Sequence, residues 1–391
     1  MKRFILYFII FLALPLALKS QDEPSKWELR GYLSNMQSVM VLGEGQDWIS
    51  DNLFHNRMNV FWYPNSNFTA SIQFRNRFMY GQSIQLFDGY AETIDNELSF
   101  LDLSMNLLNE KSFFLNTAID RAYFQYSLDK FVITVGRQRI NWGKTFAWNP
   151  NDIFNVQNFF DFDYPEKPGS DAVRLQFYPN YTSSIELAAK MDYLDRLTLA
   201  GYYKFNKWSY DFQFLGGILS EEDYVAGMGW SGDINGAGFR GEMTYLHPTD
   251  NFKDTSGVYY SSVSIDYTFS NSLYLQAECL FSVLPDDFNI SSFMDYYQGP
   301  LTVKNLSFSK WNLFAQVSYP ITPLFNLSLA GMYFPDLKGY YAGPTLTYSL
   351  KDNMEFSFIS QLFSGEFPDA ISGEAVNTEM FFAFLRYKFS F

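Results

Sequence analysis

The chain has 391 residues, 47% of them hydrophobic and 20% aromatic, with a formal net charge of -14. That charge excludes a partner held through its backbone phosphates, so no nucleic acid is expected. Despite 42 Phe and 28 Tyr, mean hydropathy is only -0.15 and no run beyond the N-terminus approaches the ~18 apolar residues of a spanning helix. A lone Cys279 rules out an intrachain disulfide.

The first residues, MKRFILYFIIFLALPLALKS, combine Lys2 and Arg3, a short apolar run and the small residue Ser20. They read as a secretory signal over 1–20, cut after Ser20, which leaves 21–391 as one domain with no Pro/Ser linker. Beyond it the dominant pattern has period two. Phe68, Ala70, Ile72 and Phe74 alternate with Thr69, Ser71, Gln73 and Arg75. Trp208, Tyr210, Phe212 and Phe214 do so against Ser209, Asp211 and Gln213, and Leu273 to Phe281 repeat the pattern. Each such run is a strand with one apolar and one polar face.

Tight turns (65–67, 206–207, 270–272, 321–323, 351–353) alternate with long polar connections (143–170, 285–308, 364–377). Strands of about ten residues, short turns at one side and long loops at the other describe a transmembrane antiparallel β-barrel, all-β, with periplasmic turns and extracellular loops. Lipid gives the backbone no partners, so such a sheet must close. A soluble all-β protein would instead have to bury every aromatic row. The alternating runs predict about 18 strands, or 16 if residues 81–118 form an external loop rather than an extra hairpin. At the C-terminus, Phe381, Ala383, Leu385, Tyr387, Phe389 and Phe391 alternate with polar and aromatic neighbours. This resembles the terminal strand of outer-membrane barrels, which implies that Phe391 is part of the signal read by the barrel-assembly machinery.

Parity then sorts the charges. Taking the apolar face as lipid-facing puts Arg30, Arg57, Arg75, Arg77, Arg121, Arg174, Arg386 and Lys388 in the lumen, on the first strands and the last. Glu186, Asp211, Glu242, Asp266, Glu278 and Glu355 also point inward, on the remaining strands, among Lys190, Lys204 and Arg240. A basic wall facing an acidic one would set a field across the pore and favour polar or charged cargo. The plainer account is that these charges keep the wall wet.

The stretch GRQRINWGKTFAWNPNDIFN, from Gly136 to Asn155, breaks the pattern. By strict alternation Arg137 and Arg139 share a face with Phe131, Ile133 and Val135, where each would cost ~2–4 kcal/mol at mid-membrane. A bulge at Gly136, or a strand turned with its apolar face inward, would bring both arginines into the lumen. In the loop that follows, Asn149-Pro150-Asn151-Asp152 predicts a short helix. Its aromatics, Trp142 and Trp148 among them, predict folding into the pore, with Asp152, Asp161, Asp163 and Glu166 brought to the arginine wall. The loop 143–170 is thus expected to be the constriction; an external cap on the barrel rim is the alternative.

Gly136-Arg137-Gln138, Trp142-Gly143 and Asn149-Pro150, within a patch from about 119 to 176, resemble the signature of porin-like outer-membrane barrels grouped loosely with alginate-export proteins. The resemblance implies a passive or export channel and leaves the cargo unassigned. Only His55 and His247 could serve a hydrolase dyad, and no serine lies in a nucleophile motif, so no enzyme is expected. The acidic segments match no calcium loop, so neither metal nor cofactor is expected. The expected function is a porin-like outer-membrane channel for small hydrophilic solutes, anionic or saccharide. Its partners are outer-membrane lipid, the assembly machinery and the solutes, and the alternative is a hydrophobic-compound channel or a structural or adhesive barrel.

Overall fold

The computed structural model describes residues 25–43, 48–95, 98–156, 159–160, 162–250, 252–285, 301–307, 309–368 and 375–391. The expected signal segment 1–20 and Asp161 lie outside these residues. Strands β1 (Trp27–Leu42), β2 (Ile49–Asn65) and β3 (Phe68–Gly81) come first. An insertion of α1 (Gln82–Leu86), α2 (Tyr90–Asp95) and β4 (Ser104–Glu110) precedes β5 (Phe113–Leu128) and β6 (Phe131–Gln138). Then follow β7 (Ser170–Asn180), β8 (Ser183–Met191), β9 (Leu197–Lys207), β10 (Tyr210–Leu219), β11 (Asp223–Ile234) and β12 (Ala237–Pro248). The rest are β13 (Val258–Thr268), β14 (Tyr274–Val283), β15 (Trp311–Thr322), β16 (Phe325–Phe334), β17 (Gly339–Lys351), β18 (Met354–Pro368) and β19 (Ala375–Ser390).

Every pairing is antiparallel, and β1 pairs with both β2 and β19, so the sheet is closed. Of the 19 strands among the described residues, β4 pairs only with β5, while β3 passes directly to β5. Eighteen strands therefore form the wall, as the alternation predicted. Residues 81–118 turn out to hold both short helices and an extra strand, laid against the wall without adding a hairpin to it.

The apolar rows face outward. Phe131, Ile133 and Val135 of β6 stand exposed beside Phe124, Tyr126 and Leu128 of β5, whereas Thr134 between them is buried inside. On β19, Phe381 and Leu385 face out and Phe382 and Phe384 are buried. Closure is finished by Phe391, whose backbone N–H and C=O pair with Gly31 at 2.9 Å each. A side chain at Gly31 would begin 2.1 Å from the Arg57 carbonyl, so the seam needs glycine there.

The bulge expected at Gly136 is absent. Pairing runs Tyr123↔Gly136 and Ala122↔Arg137 on one side, Gly136↔Ala172 and Arg137↔Asp171 on the other, without a shift. Gly136 serves a close approach instead: its φ is +112°, and a Cβ would lie 2.2 Å from the Ala122 carbonyl. The bulge sits one strand away, in β5, where the register against Gln73 and Phe74 jumps from Arg121 to Ile119. Asp120 is the extra residue, and both it and Arg121 are buried inside.

Candidate functional site: the loop inside the barrel

Between β6 and β7 the chain leaves the wall and enters the lumen. Its first excursion follows the acidic strands. The Trp142 indole N–H donates to Glu186 of β8 at 3.0 Å, its ring stacks on Tyr202 of β9 with centroids 5.1 Å apart, and its carbonyl accepts from Gln213 of β10 at 2.8 Å. Glu242 of β12 accepts the backbone N–H groups of Thr145 at 2.7 Å and Asn151 at 2.9 Å, and that of Lys144. Glu278 of β14 accepts those of Phe146, Ala147 and Trp148 at 2.8, 3.1 and 2.9 Å, besides the Ser262 hydroxyl at 2.9 Å. A carboxylate is costly to bury unless its lone pairs are filled, and consecutive N–H groups form a concave anion seat. Here the seat belongs to the loop and the anion to the wall.

The same contacts explain why no helix starts at Asn149. Asp152 N–H closes one turn onto the Asn149 carbonyl at 3.0 Å. However, the Asn151 N–H is held by Glu242 and its side chain by Met228 O and Thr244, at 3.0 and 2.7 Å. The chain then returns to its origin, with Asn155 bonded to Ser170 at 2.9 Å and the Phe154 carbonyl accepting from Lys190 at 2.7 Å.

A second excursion follows the other half of the wall. Phe159 packs edge-on against Phe314 of β15 at 5.1 Å, and Phe160 against Tyr341 of β17 and Phe363 of β18 at 5.1 and 5.0 Å. Asn155 beside β7 and Phe159 beside β15 thus stand on nearly opposite sides of the barrel, four residues apart in the chain. Phe162 meets Phe384 of β19 at 4.6 Å, and Arg386 reaches the Phe162 carbonyl at 3.4 Å. Asp163 lies 3.3 Å from His55, and Glu166 bonds Tyr32 at 3.2 Å and lies 3.7 Å from Arg57. Tyr164 donates to Asp120 while Arg75 stacks over its ring at 3.9 Å. Arg121 closes the circuit on the carbonyls of Glu166, Lys167 and Pro168, the first at 2.9 Å and the last at 3.4 Å.

The residues expected at the site are distributed as follows. Arg57, Arg75, Arg121 and Arg386 meet the loop or its neighbours, as just described; Arg174 is paired with Glu186 at 2.9 Å. Arg139 reaches Asp152 at 3.1 Å, and Trp142, Trp148 and Asp152 are buried within the loop, with Asn149 at its surface. Arg30 pairs with Glu28 at 3.1 Å near the turn end of the barrel, and Arg77 binds Asn116 and the Ile94 carbonyl at 3.0 and 3.1 Å. Arg137 is a correction: it does not enter the lumen. By register it shares the outer face with Ala122 and Asp171, and alternation gives that face Val135 and Val173. There it pairs with Asp171 at 2.9 and 2.7 Å and donates to the Ile119 and Leu101 carbonyls, beneath the insertion strap 98–103. The unshifted register at Gly136 is the reason.

Sequence reasoning missed Asp120, Tyr164 and the amide-holding role of Glu242 and Glu278. Asp120 had a signal, since adjacent Asp120 and Arg121 cannot both face the lumen under strict alternation. The pairing of a wall carboxylate with loop amides has no signature in either segment. Above the loop, Val303 and Leu306 of the segment 301–307 are buried at the mouth, with Lys304 paired to Asp223 at 2.7 Å. Neither histidine is part of a dyad among the described residues: His55 lies against Tyr32 and Asp163, and His247 between Tyr245 and the Phe252 carbonyl.

No protein-family model matches the sequence, and no curated protein matches it either. Solved structures do match in fold. OccAB4 of Acinetobacter baumannii superposes with a TM-score of 0.57 at 10% identity, covering 95% of this chain and 100% of that one. OccAB2 of the same organism gives 0.59 at 8% identity over 93% and 98%, and OpdQ of Pseudomonas aeruginosa 0.57 at 6% over 94% and 99%. The chain thus shares the fold of these structures over nearly its whole length, as a closed barrel of 18 wall strands.

Proposed function

We propose that the protein is an outer-membrane channel through which small hydrophilic solutes diffuse, with the loop between β6 and β7 as its constriction. One observation carries this reading: a closed barrel, apolar outside and charged inside, holds the loop between β6 and β7 across its lumen by side chains from nearly every strand. An 18-strand barrel without such a loop would leave a wide aqueous hole, and the loop narrows it at mid-wall. In the membrane, the turn end with Phe391 faces the periplasm and the longer connections face outward. On this reading residues 1–20 are the exported signal, Phe391 addresses the chain to the assembly machinery, and the partners are lipid and polar solutes. The similarity of the motifs between Gly136 and Pro150 to alginate-export-like barrels supports a place near that group, because this patch builds the loop. The lumen's arginines and carboxylates disfavour a path for apolar compounds.

Reconstitution into a planar bilayer tests the proposal. Discrete, ohmic openings are expected, together with swelling of proteoliposomes in small sugars and slower swelling in larger ones. Well-folded protein that carries no current and causes no swelling would overturn it.

A further inference from the structure

The wall arginines that parity assembled into a basic surface are committed elsewhere. Arg57 pairs with Asp120, Arg174 with Glu186 and Arg386 with Glu355, while Arg121 is spent on three loop carbonyls; on the acidic side Arg240 is likewise paired, with Asp266. Within the loop, Arg139 holds Asp152, and the other described acids, Asp163 and Glu166, face His55 and Arg57. Two cations of the loop stand outside this scheme. The ammonium groups of Lys144 and Lys167 make no ion pair among the described residues, and both side chains are partly open to lumen water. The charged groups around them are taken. Near Lys144, Glu242 is filled by backbone N–H groups, Glu186 by Arg174, and Asp211 lies 4.0 Å from Lys204. Near Lys167 stand Arg139 and Asp152, already paired with each other.

We propose that Lys144 and Lys167, rather than the wall arginines, set the charge preference of passage and bias it towards small anions. This rests on the channel reading, and it deepens that reading by naming the residues that discriminate. A paired guanidinium behind the loop presents a nearly neutral group to the solute; an unpaired ammonium on the loop acts at short range in a confined, poorly screened space.

The test is the anion-to-cation permeability ratio from reversal potentials in a potassium chloride gradient. Replacing both lysines (K144Q/K167Q) should lower the ratio by about fivefold, the size of effect that one charge produces at several ångströms in a partly aqueous medium. K144R/K167R should restore it. The wall variant R240Q/D266N removes an arginine together with its acid and contacts no loop residue, so it should leave the ratio in place. If K144Q/K167Q conducts with the wild-type ratio, or R240Q/D266N moves it as far, the inference falls. A wild-type protein that passes no current would instead sink the channel reading, before any lysine is changed.

Discussion

The two arcs of the inner wall hold the same loop with opposite chemistry. Along β8 to β14 the wall supplies carboxylates and the loop supplies N–H groups: six backbone amides end on Glu242 and Glu278. From β19 through β1 to β5 the wall supplies guanidinium groups, and the loop supplies carbonyls and carboxylates. The segregation of acids and arginines is therefore complementary to a backbone laid against it. Charges paired at about 3 Å interact far more strongly with their partners than with anything across the lumen, so most of the expected transverse field is neutralised where it arises. What the arcs share is the function of seating a loop, and the lumen's residual charge comes from groups that neither arc claims.

The largest effect should come from breaking the acidic arc. Glu278→Ala would orphan three buried N–H groups and the Ser262 hydroxyl. At about 1–3 kcal/mol for each unsatisfied buried group, the loop should leave its seat while the 18-strand ladder persists. The expected readout is larger, noisier conductance and faster liposome swelling in large sugars, with folded mobility on unheated gels unchanged. Conductance and size exclusion equal to wild type would show that the carboxylate is not what seats the loop. Glu278→Gln, which still accepts through one oxygen, should fall between the two.

The same cut on the basic arc should do less. Arg121→Met strips donors from three loop carbonyls, but a carbonyl tolerates partial satisfaction better than an N–H does, and Phe160 and Phe162 would still hold that side. A conductance change as large as that of Glu278→Ala would overturn the asymmetry between the arcs.

Much of the fold was legible because alternation is a local property. The exposed rows of β6 and β19 and the inward arginines of β2 and β3 follow from period two alone, which gave about 18 strands but left 16 open at residues 81–118. The exceptions lie where backbone geometry departs from that period. Asp120 and Arg121 form a bulge that adjacency hinted at, whereas Gly136 adopts φ +112° for close packing, with the register intact. For the loop, the burial of Trp142, Trp148 and Phe160 was readable from aromatic content in a polar stretch. The partners were not, because a carboxylate on β14 and an amide at Trp148 are 130 residues apart and leave no mark on each other's sequence.

Gly136→Ala gives a smaller, local test. The new Cβ would meet the Ala122 carbonyl and the backbone would keep a left-handed φ, a strain of order 1–3 kcal/mol. Urea unfolding in detergent should shift to lower concentration, with the permeability ratio unchanged because Arg137 and Asp171 lie outside the lumen. A changed ratio would mean that Arg137 reaches the solute after all.

The smallest effect is a pH dependence of the two loop lysines. Burial pushes both ammonium groups below the ordinary lysine value; Lys204 adds to this at Lys144 and Arg139 at Lys167, against the pull of Asp211, Glu242 and Glu186 on the first and Asp152 on the second. A lysine with a lowered pKa is charged below that value and neutral above it. Anion preference should therefore be steady near neutrality and fade as pH rises, before the ~10.4 at which a free lysine is half neutral. In K144R/K167R the fading should vanish, since a guanidinium keeps its proton throughout that range. A wild-type ratio that stays flat to alkaline pH, or one that fades equally in the arginine variant, would place the discriminating charge on some other group and return the basic arc to the solute's path.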